Sequence, residues 1–421
     1  MLQKMLIKGG VPLRGAIPIS GAKNLALPSI AAALLTDQKL TLNNIPNLVD
    51  VNSAIELLNY LGVEINWASR HSLILSTNTL KTTEAPYDFV RKMRASILVL
   101  GPLTARFKKA SVSLPGGCAI GARGVDLHIK ALQQLGAEVE LENGYIKTSA
   151  PAGLFGCDIS FPFSTMTGTE NTLMAAALAK GTTKLINAAM EPEVVELANL
   201  LNKMGAKIEG QGTPVITIEG VDSLHGATFD MMPDRIEAGT YAIAAAATNG
   251  EVILKNCRRD HLSSFFETMS LAGVTHEETE EGVLVKRKSD IMPVDVQTMQ
   301  YPGFPTDLQA QFTTLMTICK GAASITENIF ENRFMHAPEL VRMGANIAIH
   351  GKTAVITGVN ALKGAQVMAT DLRASVSLII AGLVAEGETA VNRLYHLDRG
   401  YENLEEKLTN CGANIKRVSV D

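Results

Sequence analysis

Read for its apolar and polar positions, the chain repeats itself. Six stretches have helical spacing of apolar residues, end in Gly-Ala or Gly-Val, and turn at once into strand-like residues: LLNYLGVEINW, ALQQLGAEVEL, LLNKMGAKIEG, TMSLAGVTHEE, LVRMGANIAIH and LTNCGANIKRV. Their glycines, Gly62, Gly136, Gly205, Gly273, Gly344 and Gly412, stand 68 to 74 residues apart. Glycine suits the left-handed residue that closes a helix, and the residues beyond it read as a strand. A second helix accompanies each corner, as in LPSIAAALLTDQK, ASILVLGPLTARF, NTLMAAALAKG, YAIAAAATNG, FTTLMTICKG and SVSLIIAGLVAEG. A helix apolar on nearly every face is predicted to be buried on most sides. Six units of helix, strand, helix and strand predict an α/β fold with three units packed around one axis, twice over.

Length supports that division. At 421 residues the chain exceeds the size at which one hydrophobic core keeps growing, so two domains are expected. With 46% of residues hydrophobic and 19% charged, the composition is that of a globular protein. The formal charge of −4 gives no electrostatic footprint for nucleic acid or an anionic membrane. The apolar run SLIIAGLVA at 377–385 falls far short of the roughly 20 residues that span a bilayer, so no membrane insertion is expected. The start, MLQKMLIKGG, lacks the apolar core of a secretory signal, which points to the cytoplasm. Five scattered cysteines without a CxxC pair, and histidines without HExxH spacing, predict neither a disulfide framework nor a metal site.

Polar residues recur where the apolar helices begin: Lys23 and Asn24, Arg94, Asp307, then Asp371 and Arg373. Helix N-termini carry free N–H groups and favour anions. Arg123, Arg373 and Arg399 each offer a fixed fork of donors, and together with Lys23 they suit a ligand bearing a carboxylate and a phosphate. SLPGGCAIGAR at 113–123 places Cys118 directly behind Gly116 and Gly117, which reads as a mobile loop. Arg123 nearby would lower the thiol pKa, so Cys118 is a candidate acid or nucleophile on a lid. Asp307 and Asp371 each read either as a helix cap or as a carboxylate kept ionised among cations and able to take a proton. PDRIEAGTY and ENRFMHAPEL are polar stretches before helices with no separate role, and His336 reads as a structural hydrogen-bonder. Repetition could instead serve architecture alone, as in a ring-shaped clamp on DNA. That function calls for a basic inner surface, whereas this chain is mildly acidic with its cations gathered in motifs.

SGAKNLALP, MRAS, LPGGCAIGARGVDLHI, PDRIEAGT, FPTDLQAQF, ENRFMH, ATDLRAS and HLDRGYE, in this order, resemble the enolpyruvyl transferases over essentially the whole chain. Within the family, the cysteine loop PGGCAIGAR resembles the branch acting on UDP-N-acetylglucosamine; the sibling acting on shikimate 3-phosphate lacks it. The resemblance implies two inside-out α/β barrels of three repeats each. Residues 1–22 plus 231–421 would form a discontinuous domain with both termini, Asp307, Asp371, Arg373 and Arg399. Residues 23–230 would form an inserted domain with Lys23, Arg94 and the Cys118 loop, and the active site would lie in the cleft between the two.

The implied reaction moves the enolpyruvyl group of phosphoenolpyruvate to the 3′-hydroxyl of UDP-N-acetylglucosamine through a tetrahedral ketal, releasing phosphate, as the first committed step of peptidoglycan synthesis. By the same likeness Cys118 is the general acid, able to carry a covalent phosphoenolpyruvate adduct and expected to be the target of fosfomycin, and Asp307 deprotonates the hydroxyl. Lys23, Arg123 and Arg399 match cations that bind phosphoenolpyruvate, and Asn24 a hydrogen-bonder to the intermediate. Arg94, the stretch Arg123, Gly124, Val125, Asp126 and Leu127, and also Ile329 match contacts to the sugar nucleotide, and Asp371 and Arg373 join the substrate-binding set. No cofactor is implied, since phosphoenolpyruvate is a co-substrate; the partners are two small molecules, with the oligomeric state left open. Two positions depart from the family: Gly124 stands where it has proline, and Phe163 where it has a lysine.

Overall fold

The structure is a computed structural model in which residues 2–115 and 124–420 are described. They form six four-stranded sheets with one plan. In the first unit, strand Leu40–Asn43 leads to helix Val49–Leu61 and then to the hairpin Glu64–Ser69 and Ser72–Ser76. The hairpin's second strand lies antiparallel beside the first strand of the unit, and a short parallel strand occupies the other edge. The same order holds in all six sheets.

Each unit therefore has two more strands than the helix, strand, helix and strand read from the sequence. Edge strands of two or three residues in five sheets, such as Glu84–Ala85 and Val296–Gln297, are too short for alternation to register. Three sheets are also completed from far along the chain, the fourth by Arg14–Pro18 lying parallel to Glu251–Lys255. Leu2–Lys8 pairs with both Glu388–Asn392 and Asn414–Val420 to complete the sixth, and Thr228–Asp230, past the third unit, edges the first.

The helix-closing glycines take the conformation their position demands: all six have φ between 86° and 111°. A Cβ at Gly344 would meet nothing within 4 Å, whereas one at Gly62 would stand 2.6 Å from the Lys81 backbone nitrogen. Gly344→Ala is therefore expected to cost about 1–2 kcal/mol, from left-handed strain alone. Gly62→Ala adds a backbone clash and should lower the thermal midpoint further; equal losses would contradict this.

The apolar helices line the interior. Lys23–Ala32, Leu100–Phe107 (entered through the 3₁₀ turn Arg94–Val99) and Met166–Ala176 pack together, as do Arg235–Ala247, Gln309–Met316 and Leu372–Val384. Every residue of Arg235–Ala247 is buried. The sheets lie outside, with alternate residues exposed along strands such as Val215–Glu219, so each barrel has helices within and strands without. Gly101 permits close helix approach: a Cβ there would lie 2.5 Å from both the backbone and side-chain oxygens of Asn171.

The described residues divide into two compact units, 2–20 with 233–420 and 21–115 with 124–232. Each has its own hydrophobic core. No helix among the described residues is long and apolar enough to cross a membrane.

Candidate functional site

In the unit built from residues 21–232, Lys23 is the first residue of its helix and only 8% exposed. Its ammonium lies 2.7 Å from the buried Asp50 carboxylate, so it is a held charge and not a solvated side chain. Asn24 follows on the same turn, half-buried. Arg94 opens the 3₁₀ turn and donates from Nη2 to the Gly124 carbonyl at 3.2 Å, joining two of the expected sugar-nucleotide contacts. Val125 is half-buried, Asp126 exposed and Leu127 buried at the start of helix Asp126–Gln134. At Gly124 a side chain would begin 2.5 Å from the Asp126 carboxylate, a clash that this exposed aspartate relieves by turning away. Phe163 is exposed.

Behind that turn sits His128, buried, its Nδ1 3.1 Å from Asn171 Nδ2 and its Nε2 3.3 Å from Thr167 Oγ1. Because the amide nitrogen can only donate, Nδ1 accepts and Nε2 carries the proton. Burial, and then Arg94, push its pKa down to about 4 against an opposing pull from Asp126. Its unfolded value is about 6.5, so between these two pH values the unfolded chain binds a proton that the folded protein excludes. The contribution of His128 to stability is accordingly expected to fall as pH drops from about 6.5 to 4. His128→Asn should flatten the thermal midpoint's pH dependence in that window, the remaining slope being set by His261 and His336, also pushed down to about 4, and by His276 and His396, pushed down too, against Glu170 and Glu237, which burial pushes up. An unchanged slope would contradict the assignment.

In the other unit the central group is Asp307. It does not cap a helix: Oδ1 accepts from Arg333 Nη2 at 2.6 Å and Oδ2 from Arg373 Nη2 at 2.7 Å. Burial acts to raise its pKa, but Arg373 and Arg333 outweigh it and hold the carboxyl well below the usual range. Its side chain keeps 26% of its surface open, while both arginine side chains are 5% exposed. Arg333 Nη1 also donates to Thr306 Oγ1 at 2.8 Å, and Thr306 donates to Glu327 at 2.8 Å. Glu327 in turn accepts from the backbone N–H of Ile329 at 2.8 Å, which fixes that half-buried residue near the group. Asp371 does cap its helix, accepting from the N–H groups of Arg373 and Ala374 at 2.8 and 3.0 Å. Its part is thus to fix the helix start that presents Arg373.

Arg399 is half-buried in the turn Leu394–Arg399, beside an Asp398 gripped by both Nη atoms of Arg417 at 2.7 and 2.9 Å. Arg417 also reaches Glu405 at 2.7 Å, so the last strand straps the segment carrying Arg399. Arg333, which the sequence reading left without a role, is thus a principal partner of Asp307. Its motif ENRFMH was visible, but nothing in the chain announces a partner 26 residues away. His336 is buried, and its Nε2 has no hydrogen-bond partner among the described residues. Cys118 and Arg123 lie outside the described residues. Among the described residues, no group of three or more His, Cys, Asp or Glu side chains is placed to hold a metal ion.

Residues 7–408 match the family model described as EPSP synthase (3-phosphoshikimate 1-carboxyvinyltransferase). Proteins named UDP-N-acetylglucosamine 1-carboxyvinyltransferase are similar along their whole length: that of Rhodospirillum centenum is 58% identical, covering 99% of both chains. That of Dinoroseobacter shibae is 57% identical over the same shares. The chain belongs to the enolpyruvyl transferase family. Among solved structures, the enolpyruvyl transferase NikO from Streptomyces tendae matches all of both chains with a TM-score of 0.88 at 24% identity. EPSP synthase from Acinetobacter baumannii matches at 0.78 and 16%. At those identities the likeness concerns fold, and it agrees with the two inside-out barrels of six units expected from the sequence.

Proposed function

We propose that this enolpyruvyl transferase moves the enolpyruvyl group of phosphoenolpyruvate to the 3′-hydroxyl of UDP-N-acetylglucosamine and releases phosphate, committing the sugar nucleotide to peptidoglycan. Its relatives at 55–58% identity carry that activity in their names, whereas the EPSP synthase structures are only 16% identical, which favours this acceptor over shikimate 3-phosphate. The observation that carries the chemistry is Asp307, a carboxylate kept ionised by two arginines yet partly open.

In the addition step a proton passes from the Cys118 thiol to the methylene carbon of phosphoenolpyruvate, making it a methyl group. The adjacent carbon becomes electron-poor and the sugar hydroxyl oxygen bonds to it. As this C–O bond forms, the oxygen becomes a strong acid, so even a weakly basic carboxylate takes its proton. This reconciles Asp307's depressed pKa with a base's work: it accepts the hydroxyl's hydrogen bond in the ground state and the proton only as charge develops. In the elimination step a proton passes from the methyl group to the thiolate left on Cys118, the double bond re-forms, and the C–O bond to phosphate breaks, phosphate leaving with the proton that Asp307 took. Lys23, Arg123 and Arg399 neutralise the phosphate and carboxylate charge, Asn24 holds the intermediate, and Arg94 with residues 124–127 and Ile329 receives the sugar nucleotide. Asp371 acts by presenting Arg373. The reaction needs no cofactor and uses two soluble metabolites of the cytoplasm, where we place the protein.

Phosphate release tests this directly. It is expected only when phosphoenolpyruvate and UDP-N-acetylglucosamine are both present. Release with shikimate 3-phosphate as the acceptor, and none with the sugar nucleotide, would overturn the reading.

A further inference from the structure

We infer that Tyr401 is a positioning residue for the reaction: it fixes the plane of the Arg373 guanidinium and, through it, the direction in which Asp307 presents its carboxylate. The inference rests on the role of Asp307 proposed above.

Each arginine beside Asp307 is held at two points. Arg373 gives Nη2 to Asp307 at 2.7 Å and Nη1 to the Tyr401 hydroxyl at 3.1 Å. Arg333 gives Nη2 to Asp307 at 2.6 Å and Nη1 to Thr306 at 2.8 Å. With the carboxylate as sole anchor, a guanidinium can swing about that single hydrogen bond; a second acceptor on the other nitrogen removes the freedom.

The hydrogens around Tyr401 can be counted. Thr240 Oγ1 lies 2.8 Å from the Ile236 carbonyl, which can only accept, so the threonine's one proton goes there. Tyr401, 2.8 Å from the same oxygen, must then donate to it. That leaves the tyrosine's lone pairs facing Arg373 Nη1 and Gln311 Nε2, the latter at 3.3 Å. Gln311 Nε2 lies 2.9 Å from the Asp307 carbonyl oxygen, which fixes the amide's orientation and ties the backbone of Asp307 to the same group, and its second hydrogen is shared between Thr240 Oγ1 at 3.1 Å and the Tyr401 hydroxyl. The Tyr401 ring also faces the guanidinium, 5.7 Å from centroid to carbon. Tyr401 is 3% exposed and Arg373 is 4% exposed, while Asp307 is partly open, so the tyrosine acts on Asp307 through Arg373, with Gln311 tying the Asp307 backbone to the same group.

Four variants and two readouts test this. Tyr401→Phe keeps the ring and removes the acceptor; kcat is expected to fall about tenfold while KM for UDP-N-acetylglucosamine stays within about twofold, because the lost interaction serves the transition state. Thr240→Ser keeps the oxygen that orients the tyrosine and should retain wild-type turnover, whereas Thr240→Val should lose about threefold. Combining Thr240→Val with Tyr401→Phe should be no worse than Tyr401→Phe alone, since both act on one hydrogen bond. Unchanged kcat in Tyr401→Phe, or losses that multiply in the double variant, would overturn the inference. The second readout needs no turnover. Arginine nitrogen NMR should resolve the two Nη of Arg373 separately in the wild type and as one averaged signal in Tyr401→Phe; separate signals in both would overturn the inference. If the wild type releases no phosphate, the proposed reaction fails while the spectra still decide the role of Tyr401.

Discussion

Asp307→Ala is expected to lower kcat for phosphate release by roughly two to four orders of magnitude, the range that general acid–base groups contribute. The structure predicts a second consequence. Arg333 and Arg373 are nearly fully buried, and Asp307 is the carboxylate between them, so alanine leaves two buried cations facing each other. Removing one partner from a buried ion pair costs about 3–5 kcal/mol, an upper bound here because Asp307 is partly open to solvent. Asp307→Asn separates the two effects, since it keeps an acceptor oxygen but cannot take the proton. Activity should stay as low as in Asp307→Ala, while stability recovers in part. Acid should distinguish them too. Because the folded carboxyl's pKa lies below the unfolded value of about 3.9, its stabilisation is complete above that pH and is lost as pH falls through the folded value. Wild-type protein should therefore lose thermal stability below about pH 4 more steeply than Asp307→Asn. Near-normal turnover in either variant would remove Asp307 from the mechanism.

Cys118→Ala should be as damaging to turnover, for a different reason. Protonating the methylene carbon of phosphoenolpyruvate requires an acid of suitable strength at that carbon, and alanine leaves only water. Cys118→Asp should keep part of the activity, because a carboxylic acid can also deliver a proton. It should also resist alkylation by fosfomycin, which requires the thiolate. A Cys118→Ala protein with wild-type turnover would dismiss the thiol as the acid; a Cys118→Asp protein as inactive as Cys118→Ala would show that sulfur itself is needed. Arg123→Ala, expected to raise the thiol pKa, would shift the rate of alkylation towards higher pH without abolishing it.

The parts of this molecule visible in its sequence are those governed by short-range physics. Six glycines at a period near seventy marked six helix ends because the left-handed conformation is a local demand, and all six have positive φ. Nearly uniform apolarity marked the inner helices because burial on every face leaves no polar stripe. The edge strands escaped notice because two or three residues carry no period, and the sixth sheet because Leu2–Lys8 finds its partners some 400 residues away. The site divides in the same way. Lys23, Arg94 and Asp307 stand at helix starts, where sequence alone flags a charge. That Asp307 is an ion-paired carboxylate and not a cap depended on Arg333 and Arg373, 26 and 66 residues on. Asp371, equally eligible from its motif, proved to be the cap. Tyr401 was part of HLDRGYE, but only the folded chain sets its hydroxyl against Arg373.

In the proposed reaction a proton is added to the methylene carbon of phosphoenolpyruvate and one is later removed from it, with the sugar oxygen joined in between. Running the reaction in deuterium oxide and examining the sugar product by NMR tests this most directly. Deuterium in the vinyl CH₂ group of the product, formed by the wild type and lost with turnover in Cys118→Ala and Asp307→Ala, is the predicted result. A product carrying the enolpyruvyl group with no deuterium at that carbon would contradict addition and elimination through a methyl-bearing intermediate.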